Sequence, residues 1–177
     1  MKWKNIDAGA AYYYITSTFT NWIPLFRYET IRRTVCEEII RALAECGGHI
    51  SAYVIMPDHL HLLAYLPESG ILHRFCKLWR GRSARRITTL LTEKGYESLL
   101  NTLTEHASPG AGHAVWKEQP RTLPIYSKPK LNAKVAYIHA NPIRRGLVSH
   151  PQDWKHSSWR FYELNESVDL PITPVKL

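Results

Sequence analysis

Two apolar runs held only two residues apart constrain this chain more than any other stretch. Residues 50–56 and 59–66 are apolar at nearly every position, and only Pro57 and Asp58 separate them. So short a gap between strand-like runs signals an antiparallel hairpin. Half-buried strands alternate apolar with polar residues, whereas these do not, so both faces of the hairpin are covered and the strands are expected in the middle of a sheet. Pro67 and Gly70 end the second run.

The remaining chain supplies layers for such a sheet. Residues 12–19, YYYITSTF, are aromatic and β-branched, which suits a strand. Over residues 28–46, Ile31, Val35, Ile39 and Leu43 recur every four positions, Cys36 and Ile40 widen the stripe, and Gly47-Gly48 closes it. That spacing predicts an amphipathic helix packed on the sheet. Ser69 is placed to cap a second helix over residues 71–94, with Leu72, Phe75, Leu78 and Trp79 on its buried side and Gly81 weakening its middle. Residues 97–106 suit a short helix and residues 108–112, SPGAG, a loop. Residues 114–116 and 123–126 flank a last strand or hairpin that its prolines confine to a sheet edge. Residues 131–141 read as a helix, with Val135 and Ile138 apolar, ended by Pro142 and Gly146. The aromatic tail, about 150–177, is expected to pack back on the body. With 177 residues, no internal repeat and no linker, the expectation is one domain over 1–177 of α+β class: an antiparallel sheet with helices packed on it.

Charge narrows the partners. The formal net charge is +8 and the pI is about 9.5, which favours a polyanion. Between Ser69 and Thr92 stand Arg74, Lys77, Arg80, Arg82, Arg85 and Arg86 with no acid among them. A second run, from Gln119 to Gln152, holds six Lys/Arg, including Lys128, Lys130, Arg144 and Arg145, and again no acid. Such runs are either solvated faces or phosphate-binding ones, and the missing acids favour phosphate binding. The three cysteines, Cys36, Cys46 and Cys76, form no C-x-x-C pair, so buried thiols in a reducing compartment are expected. The N-terminal stretch MKWKNIDAGAAYYYIT lacks the apolar core of a signal peptide, and no run is long enough to span a membrane. The expected location is the cytoplasm, without membrane partners.

Two stretches can carry chemistry. In a strand, alternate side chains share a face, so His59 and His61 point the same way and can grip a divalent ion, although a lone H-x-H pair is more often a pair of polar surface residues. Asp58 is a further candidate ligand, with an ordinary turn role as its alternative. On a helix, residues four apart are neighbours, which puts the phenol of Tyr137 beside the amide of Asn141. An amide oxygen joined to imidazoles suits Mg2+ or Mn2+ better than a closed zinc site. Spacing alone favours the plainer reading, a core tyrosine and an asparagine helix cap before Pro142.

Taken together, MPDHLHLL, the basic LWRGRSARRI, YIHANPIRRGLV and DWKHSSWRFY resemble the single-tyrosine HUH transposases, and among them the REP-associated tyrosine transposases. The resemblance runs from about residue 13 to residue 162. It implies a ferredoxin-like or RRM-like HUH endonuclease domain. It implies metal-dependent nicking and strand transfer of single-stranded, hairpin-forming DNA through a 5′-phosphotyrosine. His59 and His61 would hold Mg2+ or Mn2+, Tyr137 would be the nucleophile and Asn141 the third ligand, its side chain shorter than the glutamine of many insertion-sequence relatives. His139, two residues from Tyr137, points away around the helix. The family includes dimers that share sites as well as monomers, and a monomer is the expectation here. A nucleic-acid-binding protein without catalysis on the same fold is the alternative. A small-molecule metalloenzyme is disfavoured by the basic runs and the missing carboxylate ligand.

Overall fold

The computed structural model describes residues 11–68, 70–107, 112–117 and 119–175. Residues 1–10 of the stretch read for a signal peptide, Ser69, and residues 108–111 of the expected loop lie outside the described residues. Four strands, β1 (Ala11–Thr18), β2 (His49–Ile55), β3 (His59–Leu66) and β4 (Arg121–Ile125), form an antiparallel sheet in the order β2-β3-β1-β4. Helices α1 (Glu29–Cys46) and α2 (Ile71–Glu93) follow β1 and β3, and α3 (Glu97–Glu105) precedes β4. Next come α4 (Lys128–Arg144) and, in the tail, α5 (Trp159–Leu164). A β-α-β-β-α-β succession with β1 and β3 in the middle is the ferredoxin-like arrangement expected.

Strand alternation splits the interior into two cores. Tyr13 and Ile15 of β1 and Leu60, Leu62 and Ala64 of β3 face α1 and α2, where they meet Ile31, Val35, Ile39, Phe75 and Trp79. Ala52, Val54 and Leu63 face the other way, under Leu131, Val135 and Ile138 of α4. Both faces are thus covered, as the continuous apolar runs require. Each fully buried Leu, Ile or Phe contributes roughly 1.5–3 kcal/mol by removing apolar surface from water.

The hairpin closes across Pro57-Asp58, with the Met56 N–H donating to the His59 carbonyl at 2.8 Å. β3 is central, but β2, expected in the middle, is an edge strand. The tail hides that edge. The Ile55 N–H donates to the His156 carbonyl at 2.8 Å, Ser158 N–H to Tyr53 at 3.0 Å and Thr173 N–H to Ile50 at 2.9 Å. The Tyr162 hydroxyl reaches the Ser51 carbonyl and the Trp154 indole the Ile55 carbonyl. The tail therefore gives β2 the burial that its sequence suggests and removes an open pairing edge. β4, with Pro124 inside it, is the opposite edge, as its proline demands.

Gly70, at φ 80°, takes the position before α2, and Ser69, the expected cap, lies outside the described residues. One helix departs from expectation. α4 begins earlier and runs later than predicted, and Pro142 lies inside it. Proline removes one N–H, whose partner would be the Ile138 carbonyl, and the final turn tolerates that loss. Gly146, at φ 66°, then stops the chain with its N–H on the Ile143 carbonyl. Asn141 is accordingly a buried residue within the helix and not its cap.

Glycine substitutions test this packing in both directions. A Cβ at Gly81, mid-α2, meets nothing within 4 Å, whereas one at Gly48 would lie 2.6 Å from the Tyr65 carbonyl oxygen of β3. Gly81→Ala is expected to stabilise by about 0.5–1 kcal/mol. Gly48→Ala is expected to cost about 1–3 kcal/mol, because backbone cannot move aside as a side chain can. Urea unfolding of the two variants beside the parent measures both signs.

Candidate active site

The site is set by the pairing of β1 with β3. Thr18 stands opposite His59 and Thr16 opposite His61, which puts both imidazoles on the α4 side of the sheet. The rings are 6% exposed and their centroids lie 4.8 Å apart. Each is held through Nδ1. His59 Nδ1 is 2.7 Å from the Asp58 carboxylate. His61 Nδ1 is 2.8 Å from the Tyr14 hydroxyl and 2.8 Å from Thr16 Oγ1. Burial at Asp58 would raise its pKa, but the hydrogen bond and charge of His59 outweigh that and hold the carboxyl below its ordinary range. Burial, followed by the charges of His59, Lys134 and Arg145, pushes His61 down to about 3, so its ring is neutral at physiological pH.

α4 brings the other half. Leu131, Val135 and Ile138 seat the helix on the sheet, and the 3.6-residue period then turns Tyr137 and Asn141 toward the imidazoles. The Tyr137 ring is 5.9 Å from the His61 ring and 6.0 Å from that of Tyr14, centroid to centroid. Asn141, 4% exposed, lines the same cleft as Tyr137, His59 and His61. All four residues thus meet within one chain. His139 points away, as expected, with Nε2 at 2.9 Å from Ser158 Oγ.

The cleft, about 470 Å³, is cationic: Lys117, Arg121, Lys134 and Arg145 line it, and no Asp or Glu does so among the described residues. Lys134 Nζ lies 4.5 Å from the Tyr14 ring centre and 5.1 Å from that of Tyr137; the Arg144 guanidinium is 5.3 Å from the latter. Burial pushes the Tyr14 phenol well above its ordinary pKa, so it stays protonated. Lys128 and Lys130 are exposed near the start of α4, outside the cleft lining.

The basic face expected on α2 needs correction. α2 packs on the opposite side of the sheet, and its arginines are not a row of unpaired cations. Arg82 pairs with Glu45 of α1 at 2.5 Å, and Arg86 with Glu37 and the buried Glu38 at 2.8 and 2.7 Å. Arg80 turns inward to donate to the Lys117 carbonyl. Arg74, Lys77 and Arg85 are exposed. The acids absent from residues 70–92 come from the neighbouring α1. Conversely, Tyr14, Thr16, Trp22, Lys117, Arg121 and Lys134 were not singled out from sequence. Lys134 stands one helical turn before Tyr137, a spacing that marks it. Tyr14 and Thr16 become visible only once the strand register is known.

The donor set fits a divalent cation. Among the described residues no three His, Cys, Asp or Glu gather as a metal group, so a site here would be two imidazoles and an amide oxygen. Both imidazoles make their hydrogen bonds through Nδ1, so a metal would be held through Nε2, and a carboxylate or hydroxyl behind Nδ1 is the usual support for a metal-binding histidine.

Comparison with known proteins places the chain. The model of the family "Transposase IS200 like" matches residues 11–103. That is more than half the chain, and the protein belongs to this family of transposases. The matched stretch contains His59 and His61 and ends before Tyr137. A solved REP-associated tyrosine transposase bound to a REP hairpin is 16% identical, with a TM-score of 0.64 over 100% of this chain and 94% of that one. At that identity the likeness shows a shared fold. A transposase candidate from Deinococcus radiodurans R1 is 20% identical over 78% of this chain and 95% of that one, with a TM-score of 0.49. No curated protein matches in sequence. Among the described residues no helix is long and apolar enough to cross a membrane.

The buried neutral histidines predict acid sensitivity. Burial lowers His139 from 6.5 to about 4, so between those values the unfolded chain binds more protons than the folded one. The stability contributed is full above about pH 6.5 and is lost as pH falls through 4, at a cost on the order of 3 kcal/mol. Urea unfolding of the metal-free protein from pH 7 to pH 4 is expected to show this fall, and His139→Gln to make it shallower by a similar amount.

Proposed function

We propose that this transposase nicks and rejoins single-stranded, hairpin-forming DNA through a 5′-phosphotyrosine on Tyr137, with Mg2+ or Mn2+ held by His59, His61 and Asn141. The observation that carries this reading is the meeting of a helix-borne phenol with two Nδ1-anchored imidazoles in one cationic cleft that no Asp or Glu lines among the described residues. Hairpin-forming DNA is inferred from the fold shared with a protein solved on a REP hairpin.

The roles follow from the side chains. Lys117, Arg121, Lys134 and Arg145 draw the DNA backbone into the cleft and share the charge of the phosphate under attack. A bound divalent ion would supply a Lewis acid beside that phosphate. The Tyr137 oxygen attacks phosphorus on the side away from the 3′-oxygen, its ring held beside Lys134 and Arg144. The P–O3′ bond breaks, the phenolic proton passes to solvent, and the departing 3′-oxygen takes up a proton. The phosphotyrosine retains the energy of the broken ester, so the 3′-hydroxyl of a second strand can reverse the step without ATP. The bulk of the helix-borne Tyr137 favours an unpaired strand at the cut, where the phosphate is accessible. Arg74, Lys77 and Arg85, on the far face, add to the field that attracts DNA rather than to contacts at the cut.

A labelled single-stranded hairpin incubated with protein and Mg2+ or Mn2+ should yield a denaturant-resistant protein–DNA adduct. Tyr137→Phe should abolish it while hairpin affinity persists, and His61→Ala should reduce it by at least a hundredfold. Tight binding with no adduct under any metal would favour a purely DNA-binding protein.

A further inference from the structure

At one side of the cleft stands an indole that the chemistry above does not use. Trp22 lines the same cleft as His59 and His61 yet is 59% exposed. It is also held in an unusual conformation. Asn21 and Trp22 have φ of 50° and 54°, a left-handed region that bulky L residues rarely adopt and that concentrates at functional sites.

The surroundings fix that conformation. The preceding Phe19 is buried and stacks on Trp116 at 4.2 Å. The Thr20 N–H donates to the Val115 carbonyl at 3.0 Å, and the Lys117 N–H to the Thr18 carbonyl at 2.9 Å. Two backbone segments, one carrying Trp22 and the other Lys117, are thereby clamped side by side. The Lys117 ammonium lies over the indole, 3.0 Å from the ring centroid. A rigid, largely solvent-facing indole with a cation against it, opening on a basic cleft, presents what an unpaired nucleotide offers to meet: a flat base and a phosphate.

We propose that Trp22 and Lys117 form a nucleotide subsite, in which the indole stacks on one base of the single strand flanking the cut and Lys117 meets that nucleotide's phosphate. The subsite rests on the DNA-cutting reading given above. Stacking accepts any base, so the site demands a base at that position more than a particular one. It would set how far from the hairpin the cut falls, by holding one flanking nucleotide at a fixed place relative to Tyr137.

The test uses the full-length Tyr137→Phe chain, which cannot cut, and three DNAs: a hairpin without flanks, the hairpin with single-stranded flanks, and the flanked hairpin with an abasic residue placed at each flank position in turn. At one position the abasic change should weaken binding roughly tenfold to a hundredfold, the usual range for one stacked base. Adding Trp22→Gly, which keeps the left-handed backbone available while removing the ring, should cause the same loss with intact flanks and none beyond it at the abasic position. Trp22→Phe should restore most of the affinity, and the unflanked hairpin should bind all chains alike. The subsite is overturned if no abasic position matters in the Trp22 chain, or if Trp22→Gly weakens abasic and intact flanks equally. Failure of the Trp22 chain to bind any of the three DNAs would overturn the DNA reading together with the subsite.

Discussion

With Thr16 opposite His61 and Thr18 opposite His59, β1 and β3 decide which side of the sheet carries chemistry. A slip of one residue in that pairing would turn both imidazoles into the core shared with α1 and α2, and would move Leu60 and Leu62 out toward α4. The hydrophobic side chains therefore hold the register and the site inherits it. Tyr14 and Thr16, next to each other on the same face of β1, then hold His61 through Nδ1, and the two-residue turn presents Asp58 to His59. The same turn that makes the hairpin tight provides one imidazole with its carboxylate.

Charge is partitioned by the sheet. On one side, Arg82 and Arg86 bridge α2 to α1 through Glu45, Glu37 and Glu38 and serve to join two helices. Glu38 is almost wholly buried, so its arginines are needed to keep it from standing as an uncompensated charge. On the other side, Lys117, Arg121, Lys134 and Arg145 line the cleft with no acid among the described residues, an arrangement that is unfavourable until a polyanion enters. The same cations help keep His61 neutral, so the field that attracts phosphate also preserves an imidazole able to ligate a metal.

Much of this was legible in the sequence. The hairpin, the amphipathic α1 and the edge strand at Pro124 follow from local pattern, and the H-x-H pair and the Tyr137–Asn141 spacing follow from strand and helix periods. What misled was context at a distance. The acid-free run of α2 looked like a phosphate-binding face because its partners lie on α1, some forty residues earlier in the chain. β2 looked central because the tail that covers it comes more than a hundred residues later. Pro142 looked like a helix stop, although the last turn can spare the bond it removes. Trp22 gave no signal at all, since neither its exposure nor its backbone angle can be read from neighbours in sequence. The family match likewise ends before α4, so Tyr137 is tied to the histidines by tertiary packing and by motif resemblance rather than by that match.

The account depends on one bond, between the oxygen of Tyr137 and a DNA phosphorus. Mass spectrometry of the trypsin-digested protein–DNA adduct locates it directly. Residues 135–144 form one tryptic peptide, in which Tyr137 is the single tyrosine. The account predicts that this peptide carries the 5′-phosphate end of the cut strand, and that the other strand end is a free 3′-hydroxyl. A DNA fragment attached to any other peptide, or cleavage that leaves a 5′-phosphate on no protein residue, would contradict it.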